Sequence, residues 1–442
     1  MNLLIQGARI MDPTSGLDAV MDLALAAGRV LAVGAIPAGF IPERVLDARG
    51  CIACPGLVDL AARLREPGQE HEGMLATEMA AAVAGGVSSL VCTPDTDPVL
   101  DEPGLVQMLS YRTQRLRQTR VYPLGALTRG LRGETLTEML QLSEAGCVGF
   151  SHADAPLSDT LVLQRAMQYA ATFGYTLWLR PQDAYLGRGV AASGALATRM
   201  GLSGVPVAAE TIAVHTIVEL MRAIPASAPG GAAARVHLCR LSSAQGVALV
   251  RAAKQAGLPL SCDVSINSLH LIDHDIGYFD SRARLNPPLR QQGDRQALSA
   301  GLADGTIDAL VSDHNPVAAD AKTLPFAHAE PGATGLELLL SLALKWGEHS
   351  GAGLMRALAV LTQGPAAVLC AAPAVAGVTP HLGRLSPGTI ADICVFDPGQ
   401  TWIVKPERLR SQGKSTPFAG YELPARVRWT LVAGEVAYEA VA

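Results

Sequence analysis

The sequence predicts an α/β fold in which a (β/α)8 barrel carries a small second domain built from both ends of the chain. Two observations lead to this prediction. Short strand-like segments separated by glycine and proline occur near both termini, and apolar runs alternate with helical stretches across the middle. We therefore predict a composite domain formed by residues 1–54 and 375–442, and a TIM-like barrel over residues 55–374.

Both ends of the chain consist of short apolar segments separated by turn residues. Near the start, apolar segments at 3–5, 22–25 and 28–33 are separated by turn residues such as Asp12-Pro13. Near the end, 392–396 and 427–432 read as strands, and Ala433-Gly434 reads as a hairpin turn. Because neither end supplies enough strands for a domain alone, we expect the two ends to pair.

The middle of the chain alternates strands and helices. Residues 86–92, 235–239 and 307–312 are apolar runs typical of buried parallel strands, and 244–256 and 294–303 are helical stretches. In a (β/α)8 barrel the chemistry is carried by the C-terminal ends of the strands. The residues that directly follow each strand are therefore the candidates for a site.

Composition narrows the class of protein. The chain has 442 residues, of which 49% are hydrophobic, and a net charge of −5, which favours a large buried core and neither nucleic acid nor an anionic membrane as partner. No signal peptide and no uninterrupted apolar run of about 18 residues is recognised. The eight cysteines have no spacing framework, and the pair Cys51 and Cys54 is interpreted as structural thiols with redox or metal chemistry as the alternative. These features predict a reduced, soluble, cytoplasmic protein.

Eight segments stand out as motifs, at 55–60, 64–68, 286–290, 304–309, 312–314, 324–326, 332–337 and 413–418. In this order and approximate spacing, over essentially the whole chain, they resemble the motifs of the dihydroorotases. The resemblance implies an amidohydrolase barrel with a composite β-sandwich. It also implies the interconversion of dihydroorotate and carbamoyl aspartate, in which one or two zinc ions activate a water molecule and polarise the ring carbonyl.

The positions that hold metal in this family carry other residues here. Two histidines before the Leu-Arg-Glu-Pro-Gly motif are replaced by Ala61 and Arg63, and two later histidines are replaced by Arg180 and Arg240. Alanine has no donor atom, and a guanidinium has no free lone pair. Where the bridging carboxylate is expected, the chain has His152, with Asp154 two residues later. We therefore predict that the zinc site is lost and that no cofactor is bound.

Of the family's metal-binding side chains only Asp313 remains, as a vestige of the catalytic carboxylate. The three arginines should point into the pocket that the metals once filled. Because an unpaired buried charge costs several kcal/mol, we predict that they form a network with Asp313 and with carboxylates among Asp59, Asp95 and Asp183.

The substrate pocket is only partly retained. Arg65 and Asn286 match residues that contact substrate in the family, although Arg65 could instead form a structural ion pair, for instance with Glu66. Asp95 replaces an asparagine and would repel an anionic substrate. His314 is kept within its motif and is interpreted as a structural group, whereas the family's second histidine of this motif is Val317.

Three functions follow from this pattern, and an inactive chain is favoured. The first is a non-catalytic homologue in pyrimidine biosynthesis that assembles, as an oligomer, with the catalytic subunit of aspartate transcarbamoylase, as the resemblance implies. The second is a cryptic cyclic amidohydrolase that uses a single metal on Asp313, His152 or Asp154, and His237, or that uses no metal. The third is a sensor that binds a small anion through Arg65, Asn286 and the arginines.

Overall fold

The computed structural model describes residues 2–224, 233–371 and 382–440. Its strands are β1 Leu3–Asp12, β2 Leu17–Ala26, β3 Arg29–Val33, β4 Arg44–Asp47, β5 Ile52–Pro55, β6 Leu57–Ala62, β7 Val87–Cys92, β8 Arg120–Pro123, β9 Gly125–Ala126, β10 Phe150–Ser151, β11 Thr176–Leu179, β12 Ala191–Ala192, β13 Gly204–Val205, β14 Arg235–Leu238, β15 Leu260–Ser265, β16 Ala309–Val311, β17 Ile393–Ile403, β18 Glu422–Val432 and β19 Glu435–Glu439.

The helices lie mostly between the strands of the middle segment. They are α1 Leu75–Ala84, α2 Pro103–Leu116, α3 Met139–Glu144, α4 Thr160–Phe173, α5 Ala195–Met200, α6 Ala208–Ala223, α7 Ala244–Gln255, α8 Ile266–His270, α9 Gln292–Asp304, α10 Leu339–His349, α11 Gly353–Ala359 and α12 Gln363–Cys370.

The two ends of the chain pair in one eight-stranded sheet. Its order is β19-β18-β17-β5-β1-β2-β3, with β4 added to β1. The junction between the ends is the antiparallel pair of β17 with β5, where Cys394 is opposite Cys54. This is the composite β-sandwich domain that the sequence predicts. The exact domain limits remain a prediction, and position 375 lies outside the described residues.

The middle of the chain forms the barrel. Strands β6, β7 and β8 pair in parallel, and β9, β10, β11, β14, β15 and β16 continue the series, with β8 and β9 separated only by Leu124. The first and last barrel strands meet where Arg63 N donates to the carbonyl oxygen of His314 at 2.8 Å and His314 N donates to that of Ala61 at 3.2 Å. In the described part of the chain the barrel thus has eight strands, and the α/β fold predicted from the sequence is confirmed.

Small and aliphatic side chains fill the interior of the barrel. Val58, Leu60, Val91 and Val311 are buried there together with Trp178. A larger apolar core lies between the strands and the surrounding helices. Burying one such aliphatic side chain contributes about 1.5–3 kcal/mol, so these two layers fix the strand ends on which the site stands.

The predicted strands and helices are found with shifted limits. Residues 86–92 contain β7, and 244–256 contain α7, which begins where Ser243 Oγ accepts a hydrogen bond from Gly246 N. One stretch among the described residues, 353–370, is long and apolar enough to cross a membrane by length and composition, although Arg356 and Gln363 interrupt it. It covers α11 and α12, and 56% of it is buried inside the protein. Within the described residues none of the eight cysteines forms a disulfide, and six of them are buried.

Candidate functional site

Asp154 lies at the centre of the barrel mouth, where three arginines converge on its carboxylate. Arg63 Nη2 lies 2.9 Å from Asp154 Oδ2, and Arg180 Nη1 lies 3.3 Å from Oδ1, which also accepts a hydrogen bond from Arg240. The arginine side chains are only 5–8% exposed, and that of Asp154 is 28% exposed. A single carboxylate is therefore shared by three largely buried guanidiniums.

Two further carboxylates complete the arrangement. Arg63 Nε lies 2.8 Å from Asp95 Oδ2, and Arg240 Nη1 lies 3.1 Å from Asp313 Oδ1. We call Arg63, Arg180, Arg240, Asp95, Asp154 and Asp313 the arginine–aspartate cluster. Its three positive and three negative charges balance, which is the condition for burying them at tolerable cost.

Asn286 is the neutral partner of this cluster. Its Oδ1 accepts a hydrogen bond from Arg180 Nη2 at 2.5 Å, and its carbonyl oxygen accepts one from Arg240 Nη1 at 3.2 Å. A residue that resembles a substrate contact of the family is thus bonded to two arginines of the chain itself.

The ionisation of the cluster follows from its neighbours. Burial alone would raise the pKa of Asp154, but the charges of Arg240, Arg63 and Arg180 outweigh it and hold the pKa well below its usual range. Burial raises the pKa of Asp313 despite the attraction of Arg240 and Arg63, and it lowers the pKa of Arg180 to about 10. Arg180 therefore keeps its proton at neutral pH.

Barrel geometry brings these side chains together. Each cluster residue comes within a few residues of the C-terminal end of a barrel strand: β6, β7, β10, β11, β14 and β16. Arg240 and Asp313 have left-handed backbones, with φ of 57° and 49°, and so do the adjacent Arg65 and Ala153. Such conformations cost about 1–3 kcal/mol for residues other than glycine and concentrate at functional sites. Four of the ten left-handed residues other than glycine in the described part of the chain thus lie at the barrel mouth.

The residues at the family's ligand positions do not fit a zinc pair. Ala61 offers only a methyl group, and the guanidiniums of Arg63, Arg180 and Arg240 are donors without a lone pair for a metal. Their hydrogen atoms point at carboxylates that a metal would need as ligands. No hydrolytic step through a metal follows from this set of side chains.

His152 and His314 form hydrogen bonds within the chain through both ring nitrogens. His152 Nε2 lies 2.8 Å from Thr128 Oγ1, and its Nδ1 lies 2.8 Å from the carbonyl oxygen of Ala155. Burial lowers the pKa of His152, which favours the neutral ring. His314 Nε2 lies 2.8 Å from Glu78 Oε2, and its Nδ1 accepts a hydrogen bond from Gly335 N. Both rings are fully bonded within the chain.

A second group of potential ligands lies beneath the cluster. Ligand atoms of His237, Cys239 and Asp263 lie within 4.8 Å of one another. His237 Nε2 already bonds to Asp263 Oδ2 at 2.9 Å, and its Nδ1 bonds to Ser261 Oγ at 2.8 Å. Burial, reinforced by the charge of Asp263, raises the pKa of the Cys239 thiol. In this arrangement the group is a satisfied hydrogen-bond chain.

Arg65 forms a buried ion pair, as one interpretation of the sequence expected, but its partner is Glu72 and not Glu66. Arg65 Nε lies 2.8 Å from Glu72 Oε2 and donates to the carbonyl oxygen of Pro316 at 2.9 Å. Glu66 pairs instead with Arg112 at 2.8 Å. The guanidinium of Arg65 is thus held by groups of the chain.

The prediction that Asp59 and Asp183 pair with the arginines is wrong, because both carboxylates have other partners. Asp59 accepts hydrogen bonds from the backbone and hydroxyl of Ser312, and burial raises its pKa to about 6. Asp183 accepts from the backbone amides of Tyr185 and Leu186. Of Asp59, Asp95 and Asp183, only Asp95 lies in the arginine–aspartate cluster. Val317, at the position of the lost histidine, is 1% exposed and packs as an apolar residue.

Two buried glutamates were missed by the sequence reading. Glu78 holds His314 and accepts from Gln412 N, and Glu210 accepts from the amides and hydroxyls of Ser242 and Ser243. These contacts fix the segments that follow β16 and β14. The available signal was an acidic residue on the otherwise apolar faces of α1 and α6.

A cavity of about 180 Å³ borders the cluster on one side. Arg180 and His152 line its inner end, and Tyr185 and Ile212 line the outer part. A second pocket, lined by Arg180, Arg240 and Pro287 among others, has only about 10 Å³ of free space. The guanidiniums therefore occupy the centre of the mouth, and open space remains beside them.

Comparison with known proteins places this geometry in context. A family model described as "Dihydro-orotase-like" matches residues 50–244. A "Dihydroorotase-like protein" of Pseudomonas aeruginosa is 42% identical over 99% of this chain and 100% of its own length, and a "Dihydroorotase" of Geobacter sp. strain M21 is 37% identical over the full length of both. Among solved structures, the L-hydantoinase of Arthrobacter aurescens has a TM-score of 0.85 with 22% identity, covering 99% of this chain and 96% of that one, which shows a shared fold.

Proposed function

The chain belongs to the dihydroorotase-like family, and from this premise we propose that it is a non-catalytic member that serves pyrimidine biosynthesis as an assembly partner of aspartate transcarbamoylase. The observation that carries the proposal is the arginine–aspartate cluster. At the positions where the family resemblance implies metal ligands, three guanidiniums share the carboxylate of Asp154.

The charge balance of the cluster supports this proposal. A metal-dependent hydrolase needs lone pairs and an excess of negative charge around its cation. Here Asp95, Asp154 and Asp313 are already neutralised by the three arginines. Binding a divalent cation would require separating buried ion pairs, which costs several kcal/mol.

The retained fold supports a role as a partner. Both the barrel and the composite domain are complete in order and topology, and relatives match over their full length. A chain that keeps a whole barrel without its ligands is expected to be kept for its surface. The partner and the oligomeric state are inferred from the family resemblance, and the cytoplasmic location is inferred from the composition of the chain.

The first test measures metal and turnover on the same sample. Purified, tag-free protein is examined by elemental analysis and assayed in both directions between dihydroorotate and carbamoyl aspartate, beside an active dihydroorotase as control. We expect far less than one zinc per chain and no turnover. Stoichiometric zinc together with activity would contradict the proposal.

The second test addresses assembly. The chain is co-expressed with aspartate transcarbamoylase from the same organism, captured through a tag on one partner, and sized by light scattering after gel filtration. A stable complex of defined mass is expected, with an unrelated barrel protein as control. Separate elution of both chains at micromolar concentration would refute the assembly role and leave the loss of catalysis untouched.

A second candidate is a hydrolase with a single metal, and the group of His237, Cys239 and Asp263 is the observation in its favour. Both ring nitrogens of His237 are bonded, and Asp263 Oδ1 accepts from Arg240 N at 2.6 Å. The variant His237→Asn distinguishes the two functions. Any zinc bound by the wild-type chain at this group should be lost in the variant.

The third function, a sensor of small anions, has less support. It requires Arg65 and the cluster arginines to be free, whereas Arg65 contacts Glu72 and the cluster is neutral. Calorimetric titration with carbamoyl aspartate should give no saturable heat. Saturable binding that is lost in Arg65→Gln would favour the sensor.

A further inference from the structure

A cleft of about 490 Å³ lies outside the barrel mouth, between α10 and the hairpin formed by β17 and β18. Its walls carry two aromatic side chains, Trp402 and Tyr438, and three basic ones, Lys405, Arg408 and Arg426. None of these belongs to the arginine–aspartate cluster. The cleft has the volume of a small-molecule site, and the proposed function assigns it no role.

The basic side chains of the cleft have no acidic partner in the described part of the chain. Lys405, Arg408 and Arg426 are exposed, and over residues 2–224, 233–371 and 382–440 none of them forms an ion pair. Other arginines of the chain, such as Arg49 and Arg251, do pair with aspartates. Three cations without partners on one wall create a local excess of positive charge in a chain whose net charge is −5.

The aromatic side chains are held in place. Trp402 Nε1 donates to Ser341 Oγ at 3.2 Å, and the guanidinium of Arg410 lies 5.1 Å from the ring centre of Tyr438. Anchored aromatic rings lose little freedom when a planar ligand stacks on them. They therefore form a prepared surface for a flat ring.

The acidic residues of the cleft reduce the positive charge only in part. Glu422 and Glu337 also line it. The carboxylate of Glu337 accepts hydrogen bonds from Arg410 N and Ser411 N at 2.6 and 3.3 Å, and burial raises its pKa to about 7. Near neutral pH this group is therefore partly protonated, and it opposes a bound anion less than an ordinary glutamate would.

From this juxtaposition we propose that the cleft binds a nucleoside monophosphate, with the base against Trp402 and Tyr438 and the phosphate between Lys405, Arg408 and Arg426. Arginine and lysine are the usual partners of phosphate, and aromatic rings are the usual stacking partners of bases. A cleft with both kinds of side chain favours a small ligand that carries both a phosphate and a base.

The test uses adenosine 5′-monophosphate as the probe, followed by calorimetry and by tryptophan fluorescence on the full chain. One site per chain is expected. Adenosine and inorganic phosphate, each carrying one half of the ligand, should bind at least about tenfold more weakly, the loss that corresponds to about 1.4 kcal/mol. Salt should weaken the binding of the nucleotide, because the phosphate contacts are ionic.

Variants locate the site. Arg408→Gln with Arg426→Gln should weaken binding by at least about tenfold, and Trp402→Phe should remove the fluorescence change. The matched control is Arg165→Gln with Arg199→Gln, two exposed helical arginines that contribute nothing to the cleft. It removes the same charge and should leave binding unchanged.

Each contrary result overturns the proposal. No binding at millimolar nucleotide refutes the site, equal binding of adenosine refutes the phosphate contacts, and unchanged binding in the double cleft variant refutes the location. An oligoadenylate that binds more tightly than the mononucleotide would show that the cleft serves RNA. Because the fold and the cluster are not involved, none of these outcomes bears on catalysis or on assembly.

Discussion

Replacing Asp154 by asparagine tests the physical basis of the arginine–aspartate cluster. The substitution keeps the shape of the side chain but removes the charge that Arg63, Arg180 and Arg240 share. The cluster would then hold three positive charges and two negative ones. Removing one partner of a buried ion pair costs about 3–5 kcal/mol. Because the Asp154 side chain is 28% exposed, solvent screens part of this, and we expect a loss of about 3 kcal/mol in the free energy of unfolding.

The assay is urea unfolding at neutral pH, followed by circular dichroism and by tryptophan fluorescence on wild type and variant. Asp18→Asn is the matched control, since it removes an aspartate that pairs with Arg9 at the surface, and it should cause no change beyond experimental error. A loss below about 1 kcal/mol in Asp154→Asn, or a gain, would refute the claim that Asp154 neutralises the arginines.

The same variant predicts a pH dependence. The pKa of Asp154 is held below its unfolded value by the arginines. Its contribution is therefore fully present above about pH 4, the range of an unperturbed aspartate, and is lost as the pH falls toward the lower folded pKa. The difference in unfolding free energy between wild type and Asp154→Asn should shrink below about pH 4. A difference that stays constant down to acid unfolding would contradict this assignment.

Three further predictions concern other buried groups. Glu337→Gln should stabilise the protein by up to roughly 3 kcal/mol at pH 8 and by nothing near pH 4.5. Burial raises the pKa of Glu337 from 4.5 to about 7, so the free-energy cost of burying its charge is complete only above about pH 7. Equal urea midpoints of variant and wild type at pH 8 would contradict this prediction. His314→Ala should lower the unfolding free energy by about 3 kcal/mol, because it leaves the buried Glu78 without the imidazole that it contacts. Calorimetric melting checks this value. A loss near zero would refute the structural role of His314. An aromatic disulfide reagent should label most cysteines slowly in the folded chain and rapidly in guanidinium, since six of the eight are buried. Rapid labelling of all eight in the folded state would contradict the burial of these six side chains.

Much of the fold could be predicted from the sequence, because periodicity and turn residues act locally. The alternation of strands and helices predicted the barrel, and the two β-rich ends predicted the composite domain. The cluster arginines could be located for the same reason. Arg63, Arg180 and Arg240 each follow a recognisable strand, and the ends of barrel strands converge on one face.

The pairing within the cluster depended on tertiary structure. Arg63 and Arg240 reach Asp154 across 91 and 86 positions of sequence. The sequence reading proposed Asp59 and Asp183 as partners of the arginines, and both form other hydrogen bonds. Counting strand positions gives the side of the barrel on which a residue lies, but not whether two atoms come within 3 Å.

The cleft beside α10 was likewise decided by the tertiary structure. Glu337 and Trp402 are 65 positions apart in sequence, and they share one wall only because β17 and β18 pack against α10. The amino-acid sequence by itself determined which chemical groups stand at the strand ends, and with them the absence of lone pairs for zinc at Ala61, Arg63, Arg180 and Arg240. Tertiary structure decided which charges neutralise one another and which remain free, because electrostatic energy depends on distances of a few ångström and on burial, and neither is encoded locally.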